Sequence, residues 1–455
     1  MSPRRRVPDP TTVDELDRRL TEDACPVCAR EEDAVRAWFF TYENETNADP
    51  GMKETLAGSL GLCAPHTRRL LDLRMSASWL ATSLFDDVAH AGLRRLAGTV
   101  RGPVAPCPPC LAARRGAEGM RGSLRRTLAG SASLRETYAV GPGACLGHAA
   151  ELIATSTVPV ARLVTDRLLA TLEGDVQEAA VALTGHDPDR VARDRCWSPH
   201  RQAALDAEER ALKSSVDAYV DLLLTTPACP ICAARHRARW RFLDWLATCG
   251  TPARELRLEA VLCGNHLGDL AMTASLDVTD GVTAYNAARR QAEVGRAADR
   301  LAVLPDTPAA RLRAAARWRW TGALSPRRAI RAAIAPAFRP VACRACAVVA
   351  SAERDARRLL AVAAADPARD RLVGHAHGLC LAHGLALQRE GALPQPWHGV
   401  LTARLRTLAF ELDAARYNAG WDARWKVHGA EMTAWRHAPH LLDGEVLGPR
   451  PPATS

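Results

Sequence analysis

Sixteen residues of this chain have types and spacings that can do chemistry. Four are C-x-x-C pairs: Cys25 and Cys28 in "CPVC", Cys107 and Cys110 in "CPPC", Cys229 and Cys232 in "CPIC", and Cys343 and Cys346 in "CRAC". Four are C-x-x-H half-motifs: Cys63 and His66, Cys145 and His148, Cys263 and His266, and Cys380 and His383. The two kinds alternate strictly, and chance at this Cys and His content would give fewer than one of each, so the pattern is a repeat. Three thiolates and one imidazole make a complete tetrahedral donor set for a borderline-soft divalent ion, which points to Zn2+, four per chain. An iron–sulfur cluster with one histidine ligand is the alternative. A catalytic zinc would need an open position, which four protein ligands close. A redox dithiol of the thioredoxin type expects a βαβ context that this sequence lacks.

The spacing predicts how the ligands group. Counted from the second cysteine of each pair to the next half-motif, the intervals are 34, 34, 30 and 33 residues. These near-equal intervals predict four local sites: Cys25, Cys28, Cys63 and His66; Cys107, Cys110, Cys145 and His148; Cys229, Cys232, Cys263 and His266; Cys343, Cys346, Cys380 and His383. Each would be a zinc-stapled helical hairpin. Units one and three share helical leads, "VDELDRRLTEDACPVC" and "VDAYVDLLLTTPACPIC", whereas two and four open on "GPVAPCPPC" and "RPVACRAC". The chain therefore reads as a duplicated pair, with units at 1–100, 101–205, 206–340 and 341–445 and a mobile proline-rich tail at 446–455.

The elements that must position these residues are helices. Residues three apart in a first helical turn share a face, so a cysteine and the histidine that follows it can point at one ion. Proline inside three of the C-x-x-C pairs suits that first turn, where its missing N–H costs nothing. "TTVDELDRRL" carries a Thr12-to-Glu15 capping-box pattern, and "SPRRAI" places Ser325 at an N-cap with Pro326 at the first helical position. "NADPG" at 47–51 and "GPG" at 141–143 are turn signals. Alternating β-branched runs are scarce and aromatics are 5% of the chain, so the predicted class is all-α.

Composition narrows the rest. At 455 residues and 47% apolar content the chain can bury a sizeable core. The basic start "MSPRRRVPDP" leads into charged sequence rather than an apolar segment, and no run approaches the ~20 apolar residues of a membrane span. The expectation is a cytoplasmic protein with reduced thiols and no membrane association, in which fourteen cysteines serve metal rather than disulfides. Cys196 and Cys249, outside the pattern, read as small buried hydrophobes. His375 and His377, just before Cys380, read as surface or supporting residues, although either offers a substitute ligand. The net charge of +9 comes almost wholly from arginine. Between 307 and 340, Arg311, Arg313, Arg317, Arg319, Arg327, Arg328, Arg331 and Arg339 occur without an acid and interleave with Trp318 and Trp320; the stretch from Arg94 to Arg126 is similarly basic. Such helices can track phosphates, though a solvated face with core tryptophans is the plainer reading.

The stretch from Ala24 to Leu71 and the closing "GAEMTAWRHAPHLLDG" resemble an uncharacterised bacterial domain family with two copies of paired CPxC and G-[LF]-C-x-x-H motifs. The resemblance implies fold and metal binding and no particular activity, and four motif pairs here imply a tandem duplication. No Gly-rich phosphate loop, nucleophile elbow, HExxH or zinc-deaminase signature is present, so an enzyme is disfavoured. The leading reading is a zinc-binding helical interaction or scaffold protein with a protein partner. Nucleic-acid binding or transcriptional regulation through the arginine-rich helices is the alternative, and iron–sulfur or thiol-redox function the second.

Overall fold

The structure, a computed structural model, describes residues 10–22, 24–73, 77–185, 210–212, 214–248, 261–271, 274–306, 326–339, 342–419 and 429–444. Among them secondary structure is helical throughout with no strand, as the composition predicts. Three C-x-x-C helices begin on the motif's own proline, at Pro26–Thr41, Pro108–Gly130 and Pro230–Thr248, and the fourth runs Arg344–Ala365. The first helix, Pro10–Leu20, starts two residues before Thr12, so Thr12 is not its N-cap. Asp49 of "NADPG" caps Pro50–Gly58, its carboxylate accepting from the Met52 N–H. Pro326 opens Pro326–Ile334 as expected. Ser325, Cys196, Cys249, Arg311, Arg313, Arg317, Trp318, Arg319, Trp320 and the tail lie outside the described residues.

The chain divides into two compact units, and each draws on three stretches of sequence. The first comprises Met1–Ala34, Ala113–Cys196 and Phe242–Ala345; the second comprises Val35–Ala112, Trp197–Arg241 and Cys346–Ser455. Each therefore combines segments from both tandem halves of the sequence.

In the first unit the most extensive helix pairing is between Val158–Glu173 and Leu276–Ala302. Val164, Leu168, Val294 and Leu301 are sealed between them, with Leu124, Leu152 and Ile330 extending the same core. Arg162 fixes the end of this pair. Its guanidinium donates to the carbonyls of Leu301 (3.1 Å), Ala302 (2.8 Å) and Leu304 (2.7 Å) where the helix Leu276–Ala302 ends, a place where carbonyls lack intrahelical donors. It also pairs with Asp306 at 2.8 Å.

In the second unit Ala77–Leu96 pairs with Gln395–Asn418. Leu80, Leu84, Val88, Leu401, Leu405 and Leu412 are buried. Trp397 is fully enclosed and donates its indole N–H to the Leu360 carbonyl at 3.0 Å. Arg416 pairs with the buried Asp86. The two units are thus reciprocal. The long helix after a half-motif in one half of the sequence packs on the long helix after a half-motif in the other.

Removing the Arg162 clamp takes a charged donor from three carbonyls, of which Leu301 keeps a backbone N–H. Arg162→Ala is expected to cost about 2 kcal/mol, read as a lowered thermal or denaturant midpoint, and Arg162→Lys to restore little because one ammonium cannot serve three carbonyls.

Candidate metal centres

The sixteen residues picked out by spacing do come together in four Cys3His sets, but not in the predicted groups. The sets are Cys25, Cys28, Cys145 and His148; Cys63, His66, Cys107 and Cys110; Cys229, Cys232, Cys380 and His383; and Cys263, His266, Cys343 and Cys346. In each half of the sequence the outer pair closes on the outer half-motif and the inner half-motif on the inner pair. The local grouping of Cys25 and Cys28 with Cys63 and His66, and its three counterparts, is corrected accordingly.

Element lengths explain the correction. From Pro26 to Thr46 the chain is helical without a break, and 21 residues rise about 31 Å. The return helix Pro50–Gly58 has nine residues and recovers only about 13 Å before Cys63. The 23-residue Pro108–Gly130 is likewise followed by the nine-residue Ala132–Val140. In each case the half-motif closes on another pair instead of the one that precedes it.

Each set is built from one local device used twice. The first cysteine of every motif stands immediately before a helix, and the second ligand is the third residue within it. Cys63, Cys145 and Cys380 are extended N-cap residues. Cys25, Cys107 and Cys229 hold the same place, their carbonyls accepting from the N–H groups of Ala29, Leu111 and Ala233. N-cap and third-position side chains converge, as in a capping box. Two helix N-termini thus contribute to every set, and their dipoles favour the negative charge of thiolates.

The donor atoms are closely spaced. In the first set His148 Nδ1 lies 3.7, 3.3 and 3.4 Å from the sulfurs of Cys25, Cys28 and Cys145, with Cys28 and Cys145 3.7 Å apart. In the second, His66 Nδ1 is 3.1, 3.5 and 3.5 Å from Cys63, Cys107 and Cys110, with Cys63 and Cys110 3.6 Å apart. In the third, His383 Nδ1 is 3.6, 3.3 and 3.1 Å from Cys229, Cys232 and Cys380. In the fourth, His266 Nδ1 is 3.2 Å from Cys263 and 3.4 Å from Cys343. Every ligand atom of a set lies within 4.8 Å of the others. His375 is exposed and His377 half-buried, and neither joins the third set.

Crowding sets the protonation pattern of the thiols. Burial works against ionising Cys25, yet hydrogen bonds from Cys145, Cys28 and His148 outweigh it and hold that thiol well below its usual range. Cys229 behaves alike within the third set. Cys63 is drawn down to about 4, chiefly by its hydrogen bond with Cys107. Their neighbours Cys28, Cys107 and Cys380 are pushed up by hydrogen bonds with the adjacent sulfurs and by burial. Without a cation each of these sets thus favours one ionised sulfur, and a cation at its centre would let the others ionise too.

Two glycines that sequence reasoning passed over cover the deeper sets. Gly185 ends Val176–Thr184 with φ +85°, and a Cβ there would lie 2.7 Å from the Cys28 sulfur and 3.3 Å from that of Cys145. Gly444 follows Ala434–Leu442 with φ +72°, and a Cβ would meet the sulfurs of Cys232 and Cys380 at 2.4 and 2.5 Å. The signal was present, since both close an apolar helix as "LTG" and "LLDG". Each glycine also adjoins a link to the other set of its unit. Asp443, whose carboxyl burial raises to about 7, accepts from the Thr67 hydroxyl at 2.6 Å, one residue beyond His66. Gly264, beside Cys263, approaches the Leu183 carbonyl just before Gly185, where a Cβ would stand 2.9 Å away.

The grouping is tested by metal content. Cys28→Ser, Cys145→Ser and the double variant are each expected to lose one ion of four, whereas Cys28→Ser with Cys63→Ser loses two. A Cys28/Cys63 variant that keeps three ions would restore the local grouping. Gly444→Ala, strained in backbone and clashing with two sulfurs, should lower the unfolding midpoint by roughly several degrees.

No protein-family model matches the chain, and no curated protein or solved structure does.

Proposed function

We propose that this chain is a zinc-stapled helical scaffold: a protein whose four Cys3His sites are structural and whose function lies in the surfaces they hold in place. The observation that carries the reading is the size of the donor sets. With Zn–S near 2.3 Å and Zn–N near 2.05 Å, a tetrahedral site has S···S edges of about 3.8 Å and S···N edges of about 3.6 Å. The S···S separations of 3.6, 3.7 and 3.8 Å match the first, and S···N separations from 3.1 to 3.7 Å bracket the second. An iron–sulfur cluster distributes its protein ligands over several iron atoms, which spreads them beyond a single tetrahedron. Four protein ligands leave no position for substrate, which supports a structural role over a catalytic one. His148 Nε2 lies 3.4 Å from Glu31 Oε1, an outer contact that would orient the imidazole for coordination through Nδ1.

A protein partner fits this scaffold better than a nucleic acid does. In the second unit Phe40, Trp79, Phe410 and Tyr417 are large and exposed, the side-chain types that anchor protein interfaces. Arg327, Arg328 and Arg331 line the exposed side of Pro326–Ile334 while Ile330 and Ile334 are buried, which is the pattern of an ordinary solvated amphipathic helix. Among the described residues no single helix is long and apolar enough to cross a membrane.

Elemental analysis of the purified chain is expected to give four zinc ions per molecule and a colourless solution. Iron with visible thiolate absorption would overturn the assignment. Chelation should unfold the helices rather than merely inactivate the protein, since a structural zinc contributes on the order of 10 kcal/mol to folding. Filter binding to random DNA at two salt concentrations tests the partner class, and a steep salt dependence would favour nucleic acid.

A further inference from the structure

We infer that the second and fourth sets are peroxide-responsive sites, in which Cys110 and Cys346 are oxidised and the bound zinc is released, while the first and third sets stay closed. The inference rests on the zinc reading above and adds a division of labour to it.

Ligand chemistry is the same in all four sets, so reactivity is decided by access. In the first set Cys25, Cys28 and Cys145 are 1%, 5% and 8% exposed, and in the third Cys229 and Cys380 are fully buried while Cys232 is half-buried; neither set has an exposed cysteine. Gly185 and Gly444 bring backbone close over the Cys28/Cys145 and Cys232/Cys380 sulfurs, which narrows access to them from that side. In the second set Cys63, His66 and Cys107 are half-buried and Cys110 is exposed; in the fourth Cys346 is exposed. The contrast occurs twice, at corresponding positions of the two halves. Cys110 and Cys346 each lie in the first turn of a helix, where the N-terminal dipole favours thiolate. An exposed sulfur next to a second one is the arrangement of a thiol oxidation site.

The step balances with a hydroperoxide as oxidant. The Cys110 thiolate attacks a peroxide oxygen of H2O2, the O–O bond breaks, and with one proton taken up the products are the Cys110 sulfenic acid and water. Cys63, its sulfur 3.6 Å from that of Cys110, then attacks the sulfenic sulfur. With a second proton the hydroxyl leaves as water and a Cys63–Cys110 disulfide forms. Two thiolates are oxidised by two electrons and one peroxide is reduced. Cys107 and His66 remain as the only ligands, too few to retain zinc. Cys263 and Cys346 follow the same course in the fourth set.

The test treats the full-length, zinc-loaded chain with hydrogen peroxide, follows release with a chromophoric zinc chelator, and maps oxidised cysteines by peptide mass. Two ions per chain should leave at least about tenfold faster than the other two, together with Cys63–Cys110 and Cys263–Cys346 disulfides, and reduction should restore both sites. Release of all four ions in one phase, or oxidation of Cys25 and Cys229 as fast as Cys110 and Cys346, would overturn the inference. A protein that contains no zinc at the outset would sink the zinc reading instead. The order of cysteine oxidation still decides between exposed and covered sets in that case.

Discussion

A long helix carries the chain away from its own first turn at about 1.5 Å per residue, and whatever follows must make up that distance before later residues can return there. Each C-x-x-C pair begins a helix of 16 to 23 residues, and each Cys3His set is completed by a helix start other than the next half-motif after its pair. The added cost is small. Closing Cys28 on Cys145 instead of Cys63 encloses roughly three times as much chain, which in loop entropy is about 1 kcal/mol. That is small beside the order of 10 kcal/mol that a structural metal site can contribute to folding.

The same logic extends to the compact units. Within each half the two sets are nested, and each unit takes its outer segments from one half and its inner segment from the other. Val158–Glu173 packs on Leu276–Ala302, and Ala77–Leu96 on Gln395–Asn418, so the two halves exchange equivalent helices. Asp443 and Thr67 in one unit, and Leu183 and Gly264 in the other, place the two sets of a unit on either side of a helix C-terminus. The metal sets and the apolar cores are therefore parts of one structure rather than staples added to finished domains.

Much of this was legible in the sequence. The sixteen residues that assemble in Cys3His groups, the helical class, the prolines at three helix starts and the Asp49 turn follow from residue type and spacing, because capping and first-turn geometry are local. The grouping was not legible, because both pairings place a C-x-x-C opposite a C-x-x-H and sequence distance barely discriminates between them. "PVCAREEDAVRAWFFTYENET" contains no breaker, so the long helix leading away from Cys28 was readable, but which half-motif returns to it depends on tertiary packing. Gly185 and Gly444 were visible as helix terminators, but their second role over the sulfurs depends on tertiary approach. The Thr67–Asp443 bond joins residues 376 positions apart and has no local signal.

Nested closure also has a consequence in time. As the chain leaves the ribosome, Cys25 and Cys28 appear first in their half yet must wait for Cys145 and His148, while Cys63, His66, Cys107 and Cys110 are all available sooner. At roughly 5–20 residues per second, the interval from Cys28 to Cys145 is on the order of 10 s. For that time two soft ligands at a helix start stand without the partners that will enclose them. The residues of the inner set of each half are therefore all available before the outer set is complete.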